Sequence, residues 1–427
     1  VSCSNFVVIH GSRFVAGHLR TASIALMVIW QGVVTTSGQE AVRMSLASES
    51  AAEARRKSAS APDSFDLQLG PTAWSFGAGL DVEANGNIRF TANDAQFDVI
   101  TRPQLTTRMV WPLSEANSLD LALAAGYSAY ALHPEFNRAF IAPGSELSLD
   151  LYVGDFWINL HDRLSVTENA YQDPTVVGSG DYSQLQNVAG VAATWDLNKL
   201  IFRSGYDHAT YVTLSGGGVP EGNSDTFGFS AGYRWRPTTV ISLESGGGRI
   251  SYHGDTAGSP AWDWNVGVSW EAQPMQYVTV KAAAGYTVYR SETSAAQSSA
   301  LDFNGIYARL GLNHRVNKHL EYNLDAGRSI SFGFFNGTVD MYSAVLDARW
   351  HVFEKLSLGT GFEFEHGTEL TSSSETFDRF GPRLSLDRPL TAKMSGALRY
   401  QFYHRLSDVA GRDYNINLVT LNITYRL

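Results

Sequence analysis

The sequence predicts an all-β protein, a transmembrane antiparallel β-barrel of about 18 strands. Three observations carry that expectation. From Pro71 onward apolar and polar residues alternate with a period of two, tight turns alternate with long Gly/Ser/Asp-rich loops, and the last strand keeps the alternation down to Tyr425-Arg426-Leu427.

Alternation is the strand signature, because successive side chains point to opposite faces of a sheet. In the stretch WDWNVGVSWE, one face collects Trp262, Trp264, Val266, Val268 and Trp270 and the other Asp263, Asn265, Gly267, Ser269 and Glu271. Tryptophans at both ends with valines between them fit the interfacial girdles and the hydrocarbon band of a bilayer. The same reading holds for Leu119, Leu121 and Leu123, for Phe227, Phe229, Ala231, Tyr233 and Trp235, and for Tyr342, Ala344, Leu346, Ala348 and Trp350. In the last strand Val419, Leu421, Ile423, Tyr425 and Leu427 form the lipid-facing row, opposite Thr420, Asn422, Thr424 and Arg426.

Tight connections are expected near residues 112–118, 154–155, 196–199, 237–239, 273–274, 317–318, 353–355 and 389–391. Longer loops are expected near 85–94, 133–144, 168–182, 215–224, 253–260, 291–299, 333–338, 367–374 and 406–412. Short turns on the periplasmic side and long loops on the other are the organisation of a bacterial barrel, and this alternation implies about 18 strands, an even number that returns the C-terminus to the periplasm. About 16 is the count if the shortest hairpins merge. A soluble propeller would need a fixed repeat of about 40 residues with a blade motif, and none recurs.

Composition agrees with this reading. Of 427 residues 44% are hydrophobic and 12% aromatic, yet the mean hydropathy is only −0.14, as expected when lipid-facing residues are interleaved with water-facing ones. A membrane helix needs about 20 consecutive apolar residues, and the chain's one apolar run, residues 22–34, is shorter and interrupted by Gln31 and Gly32. A net charge of −10 gives no support to nucleic-acid binding. The single cysteine, Cys3, excludes a disulfide framework and a cysteine zinc site.

Arg13, His18 and Arg20 precede that apolar run, and the small polar stretch Thr35-Thr36-Ser37-Gly38-Gln39 follows it. This is the order of a secretory signal. The expected organisation is therefore a signal peptide over 1–38, a flexible periplasmic lead rich in Ala, Ser and charge over 39–70, and the barrel over 71–427.

If the apolar set faces lipid, the alternate positions face the lumen. The candidates there are Arg102, Arg108, Arg234, Lys281, Arg309, Arg349, Glu363, Glu365, Arg383 and Arg399. An arginine facing hydrocarbon at mid-bilayer would cost about 2–4 kcal/mol, so the barrel requires this segregation. Arg328 falls out of phase and is expected at the extracellular rim. Charged walls facing each other across water are how pore selectivity is built.

Other patterns are weaker. Gly228-Phe229-Ser230-Ala231-Gly232 matches the hydrolase elbow, which works only at a strand-to-helix turn, and here it sits in mid-strand. Glu363 and Glu365 are spaced for paired-carboxylate chemistry but read as lumen charge, and the histidines form no H-x-x-x-H pair. No enzyme activity, metal site or cofactor is expected. Gly216-Gly217-Gly218 lacks the Lys-Ser/Thr of a phosphate cradle, and Asn336-Gly337-Thr338 reads as a hairpin tip.

Two stretches carry a resemblance. Thr194-Trp195-Asp196-Leu197-Asn198-Lys199-Leu200 with Gly205-Tyr206-Asp207-His208, and the ending from Arg412-Asp413-Tyr414-Asn415 to Thr424-Tyr425-Arg426-Leu427, resemble the outer-membrane β-barrel porins associated with exopolysaccharide and exosortase gene clusters. The resemblance runs from about Pro71 to the C-terminus and departs at the last residue, where many such barrels carry Phe and this chain carries Leu427. It implies a porin-like barrel in the outer membrane serving polysaccharide export, and it carries over no catalytic residue. The expected function is passive passage of small hydrophilic solutes or oligosaccharides; the alternative is a plugged structural or surface-interaction barrel. The expected partners are outer-membrane lipid and lipopolysaccharide and the barrel-assembly machinery, which reads the last strand, with no nucleic acid and with the oligomeric state open.

Overall fold

The computed structural model describes residues 65–167, 177, 178, 183–215, 221–253, 260–292, 302–332, 338–353, 355–369 and 375–427. The expected signal peptide, nearly all of the expected lead, Gly216-Gly217-Gly218 and Asn336-Gly337 lie outside the described residues.

The alternating segments form strands. The first group comprises β1 (Leu67–Leu69), β2 (Thr72–Asn85), β3 (Asp98–Pro112), β4 (Ser118–Tyr130), β5 (Arg138–Ile141), β6 (Glu146–Val153) and β7 (Phe156–Thr167). Next come β8 (Gln184–Asp196), β9 (Leu200–Thr213), β10 (Glu221–Arg236), β11 (Thr239–His253), β12 (Ala261–Met275) and β13 (Val278–Ser291). The chain ends with β14 (Phe303–Arg315), β15 (Leu320–Phe332), β16 (Thr338–Phe353), β17 (Leu356–Glu369), β18 (Thr376–Pro389), β19 (Met394–Ser407) and β20 (Tyr414–Arg426).

All pairings are antiparallel, and β20 pairs back onto β2 from Arg426↔Gly77 to Leu418↔Asn85. The ring of barrel strands is thereby closed, which is the condition for placing strands in hydrocarbon. Since β1 only folds back on the start of β2, and β5 and β6 share one position between β4 and β7, the barrel has 18 strands, as expected.

Three local departures from the sequence expectation have physical causes. Part of the expected loop at 133–144 is strand. Arg138–Ile141 pairs with β4, and the chain then inserts two extra residues: Ile141 opposes Ala125 while Glu146 opposes Ala122. Pro143 and Gly144, at φ +94°, fill that bulge, which Ser145 pins by hydrogen bonds to Ala142 O at 2.9 Å and from Ala124 N at 3.1 Å. An even insertion keeps every later side chain on its proper face. Gln273-Pro274, expected as a turn, is a bulge inside β12, and the turn follows at Gln276-Tyr277. The sheet begins at Leu67, ahead of the expected boundary at Pro71, because Asp66 N donates to Trp74 O at 2.8 Å and β1 pairs with β2.

The exterior is apolar. Leu105, Leu243 and Ile306 are 72%, 65% and 65% exposed, values that a water-facing fold would not tolerate over its whole girth. Outward rings gather at the short-turn end, where Phe156 stacks on Trp195 with centroids 5.0 Å apart and Trp195 lies 5.7 Å from Phe202. Trp262 and Tyr127 lie toward the long-loop end. Two aromatic belts with Leu, Val and Ala between them make a membrane-spanning surface.

Candidate functional site

The strand register places all ten candidate residues on the inward face: Arg102 and Arg108 on β3, Arg234 on β10, Lys281 on β13, Arg309 on β14, Arg349 on β16, Glu363 and Glu365 on β17, Arg383 on β18 and Arg399 on β19. Their sequence neighbours confirm the phase, with Leu384 and Leu398 exposed on the outer face beside Arg383 and Arg399.

These residues do not form one cluster. Arg234 is held at the short-turn end by Asp196 at 2.8 Å, Lys281 pairs with Glu271 at 3.0 Å and Arg309 with Glu244 at 2.7 Å. Arg102 meets Glu83 at 3.1 Å, and Arg108 lies 3.8 Å from Asp120. The rest converge on the wall formed by β15 to β20 and the first strands past the seam. Arg383 is gripped by Asp347 at 2.9 and 2.5 Å and lies 3.7 Å from Glu363. It separates two polar recesses. One, of about 490 Å³, is lined by Asp81, Glu83, Arg102, Glu363, Arg383, Arg399 and Gln401; the other, of about 410 Å³, by Glu321, Asn323, Asp347, Arg349, Ser385, Arg399 and Gln401.

Glu363 and Glu365 do not face each other as a catalytic pair. Both bind Arg379, at 3.2 and 2.5 Å, and that buried guanidinium also stacks over Tyr403 at 4.7 Å. Ser230, from the elbow-like motif, lies in mid-β10 on the inner wall, opposite Arg203 and Glu244.

Nearer the long-loop end the inner wall is covered by chain. The loop between β2 and β3 folds inward: Gly86 N donates to Asn417 O at 2.9 Å, and the Asn87 amide donates to Thr91 O at 2.8 Å and Asn415 O at 3.2 Å. Phe90, in the left-handed region at φ +55°, buries its ring among Tyr403, Tyr414, Ile416 and Leu418, with Val177 of the β7–β8 loop packed on the cluster. Gly178 N donates to Phe90 O at 3.1 Å, so two loops meet inside the mouth. Beside them Glu375 contacts Arg405 and Arg412, each at 2.8 Å.

No family model and no curated protein matches the chain. Among solved structures it is similar to vanillate-bound OpdK of Pseudomonas aeruginosa, with 12% identity over 83% of this chain and 98% of that one and a TM-score of 0.48. It is also similar to a BenF-like porin of Pseudomonas fluorescens Pf-5, with 10% identity over 84% and 100% of the chains and a TM-score of 0.48. OccAB2 of Acinetobacter baumannii follows, with 9% identity over 83% and 98% and a TM-score of 0.47.

Two inward elements ran against the alternation, Arg379 and the loop residue Phe90, whereas Gln401, between the outward Tyr400 and Phe402, follows it but was not among the ten candidates. Arg379 lies beside the outward Asp378, and this reversal of the usual polarity hid it. Ile88 and Phe90, two large apolar residues within an otherwise polar loop, were a readable sign of inward packing. Chemically, a wall of opposed charges open to water can bind and release polar solutes, because each contact replaces hydration without trapping the solute.

Proposed function

We propose that this chain is an outer-membrane porin-like channel for passive passage of small hydrophilic solutes or oligosaccharides. The observation that carries the reading is the segregation within one closed sheet: exposed apolar side chains outside, and charged residues around polar recesses inside. A barrel of about 18 strands is too wide for its own wall side chains to fill. On this reading the tight turns face the periplasm and the long loops face outward, where the outer aromatic belt meets lipopolysaccharide. The barrel-assembly machinery would read β20, whose outward row is Val419, Leu421, Ile423 and Tyr425, and passage down a gradient needs no catalytic group or cofactor. Service to polysaccharide export is the finer form of the proposal and rests on the resemblance of the 194–208 and 412–427 stretches.

A second reading, a plugged structural barrel, is favoured by one observation: Phe90 and Val177 pack on the inner wall at the mouth. Liposome swelling separates the two. Vesicles carrying the refolded protein should swell in isosmotic arabinose and glucose, and more slowly in a tetrasaccharide. Equal resistance to all three sugars by a fully folded barrel would favour the plug.

A further inference from the structure

We propose that the recess between Arg349 on β16 and Arg399 on β19 is a binding site for sugar acids, solutes that carry one carboxylate and several hydroxyls. The inference deepens the channel reading and rests on it for its physiological meaning.

The first ground is an accounting of guanidinium groups. Arg102, Arg309, Arg379, Arg383 and Arg405 all sit in ion pairs with inward carboxylates. Arg349 and Arg399 are exposed to the lumen and have neither an ion pair nor a hydrogen bond among the described residues. Glu321 stands opposite Arg349 in the register but forms no ion pair with it.

The second ground is placement. Arg349 opposes Gly359, Gly359 opposes Ser385, and Ser385 opposes Arg399, so both arginines lie on one row of the sheet. Three strand steps of about 4.8 Å separate their backbones, and the two residues between them, Gly359 and Ser385, are small. Two long cationic side chains thus overhang a low floor from either side. A carboxylate arriving there receives charge-assisted, fork-shaped hydrogen bonds, which are stronger than neutral ones.

The third ground is the rest of the lining. Gln401 reaches both recesses, and its amide nitrogen is buried without an acceptor among the described residues. Leaving such a donor unpaired costs free energy that a ligand oxygen would recover. Asn323, Glu321 and Asp347 add acceptors suited to hydroxyl groups. The inward side chains around this recess are charged, amide, hydroxyl or absent, and Ala348, Thr360, Leu384 and Tyr400, which complete the lining, alternate to the outer face, so the ring of an aromatic acid would gain little apolar contact there. A polyhydroxylated carboxylate fits both halves of the lining.

The test is calorimetric titration of the refolded full-length barrel in detergent at low ionic strength, with D-glucuronate, D-glucose and benzoate as probes. Glucuronate should bind saturably and at least tenfold more tightly than either of the others. The double substitution Arg349→Gln with Arg399→Gln should weaken it at least tenfold, and Lys318→Gln, in the β14–β15 turn, should not. Equal affinity for glucuronate and glucose, or undiminished glucuronate binding by the double variant, overturns the site. Benzoate binding as tight as glucuronate overturns the sugar-acid assignment in favour of an undifferentiated anion site. Binding is read without conduction, so a barrel that binds glucuronate yet passes no solute contradicts only the channel reading, and a conducting barrel that does not bind it contradicts only the site.

Discussion

The phenolic hydroxyl of Tyr307 on β14 donates a 2.9 Å hydrogen bond to Glu244 on β11, crossing two intervening strands. The crossing is possible because the row between them reads Gly285 and Gly267. A Cβ at Gly267 would lie 2.1 Å from the Tyr307 oxygen, and one at Gly285 would lie 2.2 Å from Val266 O and 2.5 Å from the Tyr307 ring. The same carboxylate takes Arg309 at 2.7 Å, so one inward glutamate ties the wall together across four strands.

Tyr307→Phe should therefore cost about 1 kcal/mol, the net value of a hydrogen bond. Gly285→Ala should cost about 1–3 kcal/mol by overpacking. Urea unfolding in lipid vesicles measures both, and an alanine at Gly285 without effect would contradict the close crossing.

On the outer face of β16 polarity changes along the strand. Leu346 is exposed in the apolar band, whereas Asp340, nearer the long loops, binds the outward Arg328 at 3.0 Å while that arginine lies over the rings of Tyr342 and Phe303. Arg328 thus sits at the rim, as its phase in the sequence suggested. Leu346→Arg should cost about 2–4 kcal/mol, and Asp340→Ala about 1 kcal/mol or less, because the penalty for charge falls toward the interface. Similar costs for both in the same vesicle assay would place Asp340 at the wrong depth.

Arg405 is fully buried and its carboxylate partner is Glu375 at 2.8 Å. Removing one member of a buried pair strands the other charge at a cost of about 3–5 kcal/mol. Glu375→Gln should show that loss in urea, and a variant within about 1 kcal/mol of the parent would mean water reaches the pair.

Phe90 holds the inward loop by packing edge-on to Tyr414, with centroids 6.0 Å apart. Phe90→Ala releases that anchor while leaving every barrel strand's own sequence and pairing in place. Single-channel conductance should rise, with the urea midpoint shifted little. Unchanged conductance would mean the loop does not narrow the path.

Strand existence, facing and number were legible because a period of two survives wherever one face meets lipid and the other water. Legibility failed where that contrast ends. At the long-loop ends Phe377, Val339 and Ile416 turn inward and Asp378, Asp340 and Asn415 turn outward, since the outside there is polar and the inside is filled by loops. That reversal concealed Arg379, and the only local sign that residues 86–91 fold into the barrel is the pair Ile88 and Phe90, which does not follow the strand period. The ten inward candidates were readable from phase alone; which of them lack a partner depends on reach across several strands.

The central claim is that the barrel encloses a continuous aqueous path, and planar-bilayer recording of the refolded protein tests it most directly. Discrete, voltage-tolerant conductance steps are expected, with anion preference falling when Arg349 and Arg399 are both replaced by glutamine. A folded barrel that inserts yet passes no current, in the parent and in Phe90→Ala alike, would contradict it.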